Sequence, residues 1–459
     1  MTQARDRYDV VGVGIGPFNL ALAALAEPLR ENHSLSVLFL DEKPEFAWHP
    51  GMMIDGAKLQ VPFLADLVSL TDPTSRFSAL NWLRETGRLY SFYFAEDLFL
   101  ERREYEAYCR WAADQLPYCR FGARVTAVRR AGEGHGDGFD VDFMTAAGTT
   151  TVRAANVVLG VGSVPSVPAQ LQDVLGAEVC HSADYLAHAD RLRALADVTV
   201  VGSGQSGAEI VLDLLRSGGP ERRVRWLTRS TAFEPMEYSK LGLEHFTPDY
   251  TRYFHSLRPD VRADLLRTQG RLHKAISADT IADLHAELHT RSFAGDTAPT
   301  LLPGVAVTGG VRERDEIVLT CLHERRKQEF TVRTEGVVLA TGYSELQPWF
   351  LDDTALGDPD LDYRVAPGLH VQNAEQRTHG VGAPDLGLGA HRAAAILNAI
   401  TGRRVYDLPE RAAHTSFDPA VAAAADPGVR LGPALTPHGL PQPRIEVATD
   451  ADTIAHRPS

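Results

Sequence analysis

Two stretches of the chain repeat one pattern: a short unbroken apolar run, a cluster of glycines, then apolar residues at helical spacing. In the first, Val10, Val11 and Val13 lead into Gly12, Gly14 and Gly16, and an Ala/Leu-rich segment follows. In the second, Val198, Val200 and Val201 lead into Gly202, Gly204 and Gly207, followed by apolar residues through Leu215. Such a run, rich in β-branched residues and closed by glycines, predicts a strand buried on both faces; the segment after it predicts a helix. Similar runs predict strands at residues 36–40, 156–159, 224–227, 337–340 and 368–372. Residues 124–130 and 139–144 predict an antiparallel pair around a Gly-rich turn, and 305–307, 317–321 and 329–333 predict further strands. Residues 102–116 have the spacing of an amphipathic helix with Tyr105, Tyr108, Trp111 and Ala112 on one side. Residues 231–291 are aromatic and helical in pattern.

This order predicts an α/β chain with two Rossmann-like dinucleotide-binding domains, the second inserted in the first, and a smaller helical substrate region. The expected boundaries are 1–185 for the first part of the first domain and 186–335 for the second, with its helical insertion at about 231–300. The first domain returns over 336–410. Residues 411–459, dominated by Pro, Ala, His and Asp, predict a mobile tail.

Composition narrows the function classes. A chain of 459 residues exceeds what one core usually fills. The formal net charge is −14 and the basic residues are not bunched, which argues against a nucleic-acid partner. The N-terminus lacks an apolar h-region and no apolar stretch approaches the ~18 residues of a membrane span, so a cytoplasmic protein is expected. The four cysteines show neither C-x-x-C nor metal-like spacing, so they are read as reduced and structural, with no metal site.

The glycine turns carry the chemistry. A turn at a helix N-terminus offers free N–H groups and the positive end of the helix dipole to a pyrophosphate, and a side chain at Gly14 or Gly204 would occupy the pyrophosphate's space. In the first turn Pro17 stands where the G-x-G-x-x-G fingerprint has its third glycine, with Asn19 beyond it; Asp41 and Glu42 end the next strand, where an acid accepts hydrogen bonds from a ribose. The second turn has the full fingerprint, and its following strand ends in T-R-S, placing Arg229 where a 2′-phosphate would sit. The second nucleotide is therefore expected to be NADPH. Residues 48–53 (W-H-P-G-M-M) and 58–75, with Trp48, His49 and Gln60, are expected to wall a site at the carboxyl ends of the strands. Thr341, Gly342 and Tyr343 turn out of a buried strand, and the glycines of 379–392, Gly387 among them, lead into an Ala-rich helix beside a cofactor. Two dinucleotide folds can set a nicotinamide against an isoalloxazine, which predicts a flavoprotein. Without a redox cysteine pair, oxygen is the remaining common electron acceptor.

At this point G-V-G-I-G-P-F-N-L, W-H-P-G-M-M, L-Q-V-P-F-L-A-D-L-V-S-L-T-D-P-T-S, G-S-G-Q-S-G-A-E and L-A-T-G-Y-x-x-x-x-P together resemble the flavin-dependent N-hydroxylating monooxygenases, from about Tyr8 to Asn398. That family comprises the lysine N6-, ornithine N5- and diamine N-hydroxylases of hydroxamate siderophore biosynthesis. The resemblance implies FAD on the first fold and NADPH on the second, with a C4a-hydroperoxyflavin hydroxylating a primary amine by means of O2. By position it implies that Gly12, Gly14, Gly16 and Asn19 bind FAD, that Gln60 lies beside the flavin, and that Gly202, Gly204, Gln205 and Ser206 hold NADPH. The 339–343 segment then lies near flavin and substrate. A homo-oligomer, tetramer or dimer, is the expected assembly.

Two departures bear on substrate. Where amino-acid hydroxylases of the family carry lysine in F-L-K-D, pairing with the substrate carboxylate, this chain has Ala65; where ornithine enzymes have a substrate-binding asparagine, it has Leu243. A diamine, cadaverine or putrescine, is therefore expected as substrate, with Glu244 or Glu237 as candidate for the distal ammonium. Lysine N6-hydroxylation is the alternative. Also open are another NADPH–FAD monooxygenase and an uncoupled NADPH oxidase, the latter because Gly387 stands where relatives often have serine.

Overall fold

The computed structural model describes residues 7–33, 35–132, 138–351 and 356–432. Its contacts group Met1–Thr415 as one unit and Ser416–Ser459 as another. Within the second unit the described residues carry a short helix, Pro419–Ala425, whose first turn is capped by the Asp418 carboxylate accepting from Ala420 N–H at 2.7 Å. The expected tail from 411 thus includes ordered hydrogen bonds at its start, and residues 433–459 of it lie outside the described residues.

The first unit is built on two mainly parallel sheets. The first has the strand order Arg364–Ala366, Leu369–Val371, Gly148–Leu159, Arg7–Val13, Val37–Leu40, Cys119–Arg120. Its central pairs are parallel, with Val10 opposite Val37 and Gly12 opposite Val158. The apolar pattern at Val10, Val11 and Val13 follows from this position: helices cover one face and an antiparallel meander the other, so all three are at most 5% exposed. The covering helix, Pro17–His33, is buried from Leu20 to Ala26, and its alanines let the Gly389–Thr401 helix pack closely on it.

The meander shows what an apolar run misses. The strand expected at 156–159 is twelve residues long, Gly148–Leu159; its first half pairs antiparallel with Phe139–Thr145 and its second half parallel with Arg7–Val13. The first half is mostly exposed Thr and Arg, so only the doubly covered half reads as a buried strand.

The second sheet is wholly parallel, in the order Thr300–Pro303, Arg223–Thr228, Asp197–Val201, Gly336–Leu339, Val179–His181. Its hydrogen bonding therefore extends from 179 to 339 and takes in strands that the boundaries at 185/186 and 335/336 set apart from it. The three-residue strand Val179–His181 is too short to show a period. A three-stranded antiparallel sheet, Val305–Glu313, Glu316–His323 and Gln328–Thr334, lies in sequence between its strands Thr300–Pro303 and Gly336–Leu339. The helical region between second-sheet strands contains Pro248–Ser256, Pro259–Thr268 and Ala278–Ala294. The chain leaves the first sheet after Leu159 and rejoins it at Arg364; its outgoing and returning passages pair as an antiparallel ribbon, Ser163–Pro165 with Tyr343–Glu345.

Asn19 locks the first glycine turn. Fully buried, it donates to the carbonyls of Gly14 (2.8 Å) and Val13 (3.2 Å) and accepts from the Gln372 side chain at 2.7 Å. It thus ties the turn to the end of the last parallel strand, 353 residues away in sequence. Asn19→Ala would leave the Gln372 amide buried without its acceptor and release the Gly14 carbonyl, and is expected to cost about 3 kcal/mol. The midpoint of urea denaturation measures this; a midpoint equal to that of the wild type would show that the clamp is dispensable.

Candidate active site

The first turn is shaped mainly by the protein's own packing. A Cβ on Gly12 would lie 2.2 Å from the Phe39 ring, and one on Gly14, at φ +86°, would lie 2.5 Å from the Gly160 carbonyl oxygen. These two glycines therefore permit strand and turn to approach. Only at Gly16 would a Cβ meet nothing within 4 Å, in front of the helix that begins at Pro17. A side chain at Gly14 is thus already excluded by the protein's own backbone, and the open space of the turn lies at Gly16. Asp41 is likewise committed internally: its two oxygens accept from Ile15 N–H (2.7 Å) and Lys43 N–H (2.9 Å), bracing the turn. Glu42 is exposed, with Arg124 3.6 Å away. Asn19, buried as a clamp, holds the turn rather than facing its open side.

The second turn divides its glycines in the same way. A Cβ on Gly202 (φ +121°) would lie 2.0 Å from the Ala340 carbonyl oxygen, and one on Gly207 2.3 Å from that of Gly202. Gly204 caps the Gln205–Ser217 helix and has nothing nearer than the Lys274 carbonyl oxygen at 4.0 Å. Ser206 lies in that helix's first turn. Thr228, ending the strand Arg223–Thr228, donates to the Ser203 hydroxyl at 2.8 Å and so draws the strand end to the turn. Arg229 is the next residue; it is exposed and has no hydrogen-bond or ion-pair partner among the described residues. A helix N-terminus with open space and an unpaired guanidinium beside it suits a phosphorylated nucleotide.

Between the turns the structure joins residues from both sheets. Gln60 Nε2 donates to Gln205 Oε1 at 3.1 Å, and that oxygen also accepts from Ser277 N–H at 2.8 Å. Gln205 Nε2 donates to Glu209 (2.7 Å) and Thr280 (2.9 Å), and Glu209 receives both terminal nitrogens of Arg102 at 2.7 Å. Tyr238 O–H donates to the Gln60 carbonyl at 3.2 Å. Trp48, His49 and Tyr343 meet ring to ring, with centroids 4.9 Å apart for Trp48–His49 and 6.0 Å for His49–Tyr343. Thr341 donates to the Ser166 carbonyl at 2.6 Å, and His181 Nε2 lies 3.0 Å from the Gly342 carbonyl, which it meets as donor because its Nδ1 accepts from Ala183 N–H. Burial lowers the pKa of His181, keeping the ring neutral. Gly51 allows the 50–53 loop to press on this crossing: a Cβ there would lie 1.9 Å from the Ala183 carbonyl oxygen.

The substrate candidates separate. Ala65 is buried, and its Cβ lies 3.9 Å from where a Gly387 Cβ would be, so these two stand against each other. Leu243 opens a short turn, Leu243–Phe246. Glu244 in that turn accepts from His414 N–H (3.2 Å) and Thr415 N–H (2.8 Å), so its carboxylate fastens 414–415 instead of facing a ligand. Glu237 accepts from Ser239 N–H at 2.7 Å. Arg102, Glu209, Ser277, Thr280, Tyr238, His181 and Asp385 escaped the sequence reading. Glu209 was in view within G-S-G-Q-S-G-A-E, and a carboxylate on the apolar face of a helix is itself a signal for a buried cation partner.

All four cysteines are unpaired, and burial pushes their thiols up, to about 12 for Cys180 and about 11 for Cys321. No low-pKa thiol is present for dithiol chemistry among the described residues.

Comparison with known proteins agrees with this arrangement. A family model described as L-lysine 6-monooxygenase/L-ornithine 5-monooxygenase matches residues 6–345. A rhizobactin siderophore biosynthesis protein of Rhizobium meliloti is 42% identical over 89% of this chain and 95% of its own length. A putrescine N-hydroxylase of Shewanella oneidensis is 41% identical over 92% of this chain and 86% of its own. The FAD-bound crystal structure of a cadaverine monooxygenase of the desferrioxamine pathway of Erwinia amylovora superposes with a TM-score of 0.85 at 37% identity, covering 90% of this chain and 99% of that one. With the model spanning most of the chain and these identities well sustained along it, the protein belongs to the L-lysine 6-monooxygenase/L-ornithine 5-monooxygenase family.

Proposed function

We propose that the protein catalyses the FAD- and NADPH-dependent N-hydroxylation of a primary aliphatic diamine, cadaverine or putrescine, for hydroxamate siderophore biosynthesis. The observation that carries the substrate is Ala65, a buried methyl group where an amino-acid substrate would need a cation for its carboxylate. A carboxylate left there unpaired would cost several kcal/mol, and a diamine has none to bury. Relatives named for putrescine and cadaverine support the same reading. The name of the family keeps lysine N6-hydroxylation as the second reading. We further read the protein as a cytoplasmic homo-oligomer, dimer or tetramer; no described helix is long and apolar enough to cross a membrane.

FAD fits the first turn, where Gly16 leaves open space at a helix N-terminus. NADPH fits the second, with Gly204, Gln205 and Ser206 at the helix start and Arg229 for the 2′-phosphate. When bound, these groups supply hydride transfer and oxygen activation. The first sheet with its return from Arg364 would then form the FAD domain, and the second sheet the NADPH domain. Gln60, fixed by Gln205 and Tyr238, would present its amide to the flavin and substrate. Trp48, His49, Thr341, Gly342 and Tyr343 would close the reacting space against water. The amine must react as the free base, and a free alkylamine with a pKa of ~10.4 is only about 0.1% neutral at pH 7. Burial favours the neutral form and so assists without any side-chain base.

Measured side by side, cadaverine and putrescine are expected to give higher specificity constants for hydroxylated product than lysine or ornithine. Lysine at the top of that series would overturn the argument from Ala65. Arg229→Ala is expected to raise the KM for NADPH about ten-fold with much less effect on NADH, since the lost contact is charge-assisted; equal losses in steady-state kinetics would show that Arg229 does not read the phosphate. Gly16→Val is expected to lower flavin content, and Gly204→Val to spare flavin and weaken NADPH, because both positions are open to solvent-sized space rather than packed. Flavin loss from the Gly204 variant would reverse the assignment of the two folds.

A further inference from the structure

The diamine reading leaves one charge unaccounted for, since the amine that does not react remains an ammonium ion at neutral pH. Glu244 is held by two main-chain N–H groups, and Glu237 accepts from Ser239 N–H in an exposed hydrogen bond, where its charge meets water. Asp66, next to Ala65, is also committed: its oxygens accept from Val68 N–H, Ser69 N–H, the Ser69 hydroxyl and Ala79 N–H, at 2.6 to 2.9 Å.

Asp385 is placed differently. One of its oxygens accepts from Gly387 N–H at 2.7 Å, and no cation and no second donor is paired with it among the described residues. The neighbouring cation, Arg392, is already matched by the buried Glu375 at 3.0 Å. The point where a Gly387 Cβ would sit lies 2.8 Å from Asp385 Oδ1 and 3.9 Å from both Ala65 Cβ and Leu70 Cδ1, so the carboxylate and the Ala65 methyl both border Gly387. A side chain at 387 would press on the carboxylate, and a lysine at 65 would reach and neutralise it. Tyr238, whose hydroxyl donates to the Gln60 carbonyl, has its pKa raised by burial and, to a smaller extent, by the Asp385 charge.

We infer that Asp385 binds the distal ammonium of the diamine, with Ala65 and Gly387 leaving the room for it. The inference rests on the diamine reading and deepens it. The carboxyl is pushed up to about 6 by burial, partly offset by the Gly387 N–H and Arg392, and an arriving ammonium would supply the missing counter-charge. It would also distinguish the two ends of a symmetric substrate. One nitrogen is held as a cation by Asp385, and the other is left in surroundings that favour the free base.

The test uses the FAD-loaded full-length protein and calorimetric dissociation constants for cadaverine and for 1-aminopentane, which has the same chain and no distal ammonium. Asp385→Asn keeps an acceptor for Gly387 N–H, so the turn is retained. The preference for cadaverine over 1-aminopentane is expected to fall about ten-fold or more in this variant, the weight of one charge-assisted hydrogen bond. Gly387→Ala, which crowds the same carboxylate, is expected to move the ratio in the same direction. A ratio that stays at its wild-type value in both variants, or parallel losses for both amines, would overturn the inference and leave Asp385 as a turn residue. The wild type separates the two levels of argument: if it binds and hydroxylates lysine better than cadaverine, the diamine reading itself falls, whereas a wild type that prefers diamines with an indifferent Asp385→Asn sinks only the role of Asp385.

Discussion

The contact on which the site depends is the two-pronged ion pair of Arg102 with Glu209. Arg102 starts a helix that packs on the first glycine-turn helix; Glu209 lies in the helix that starts at the second glycine turn. Their side chains are 12% and 7% exposed, and both nitrogen–oxygen distances are 2.7 Å. A buried pair of this kind adds little net stability against an apolar replacement but penalises any arrangement that separates the charges. Its value here is registration. Arg102 also donates to the Met52 carbonyl, and Glu209 accepts from Gln205, so the pair sets the loop bearing Gln60 against the second turn.

The glycines divide into two kinds. Gly12, Gly14, Gly202 and Gly207 are required by neighbours already in the fold, which a Cβ would strike at 2.0 to 2.5 Å. Gly16 and Gly204 face open space. The two turns thus share one construction: most of the fingerprint lets strand and helix come together, and one glycine in each leaves the approach clear. Polar residues are distributed in the same way. Asn19 and Asp41 brace the first turn from inside, while Arg229, beside the second, has no partner among the described residues.

On the proposed reading, substrate selectivity reduces to charge balance around Ala65, Asp385 and Gly387. The family chemistry needs a free-base amine and a dry site, neither of which distinguishes lysine from a diamine. What distinguishes them is the far end, where lysine carries a carboxylate beside its ammonium and a diamine carries the ammonium alone. Here a methyl and a glycine border a carboxylate that has no cation partner among the described residues.

The amino-acid order by itself determined both glycine turns, their buried strands and helices, and the insertion of one parallel fold in the other. These features are local in sequence: a doubly covered strand must be apolar throughout, and a tight approach at a fixed offset must be glycine. The resemblance to the family singled out Ala65, since a charge is missing there only against the lysine of F-L-K-D. The amino-acid order did not find the exposed half of the Gly148–Leu159 strand, whose Thr and Arg residues show no buried run, or the three-residue strand Val179–His181. Tertiary structure alone decided which polar groups are free. Asn19, Asp41 and Glu244 are by type as suited to ligands as Asp385, yet each is satisfied by main-chain or side-chain partners, most of them 26 to 353 residues away. A hydrogen bond is fixed by distance and direction in space, and residues so far apart in sequence acquire these only when the sheets have closed around them.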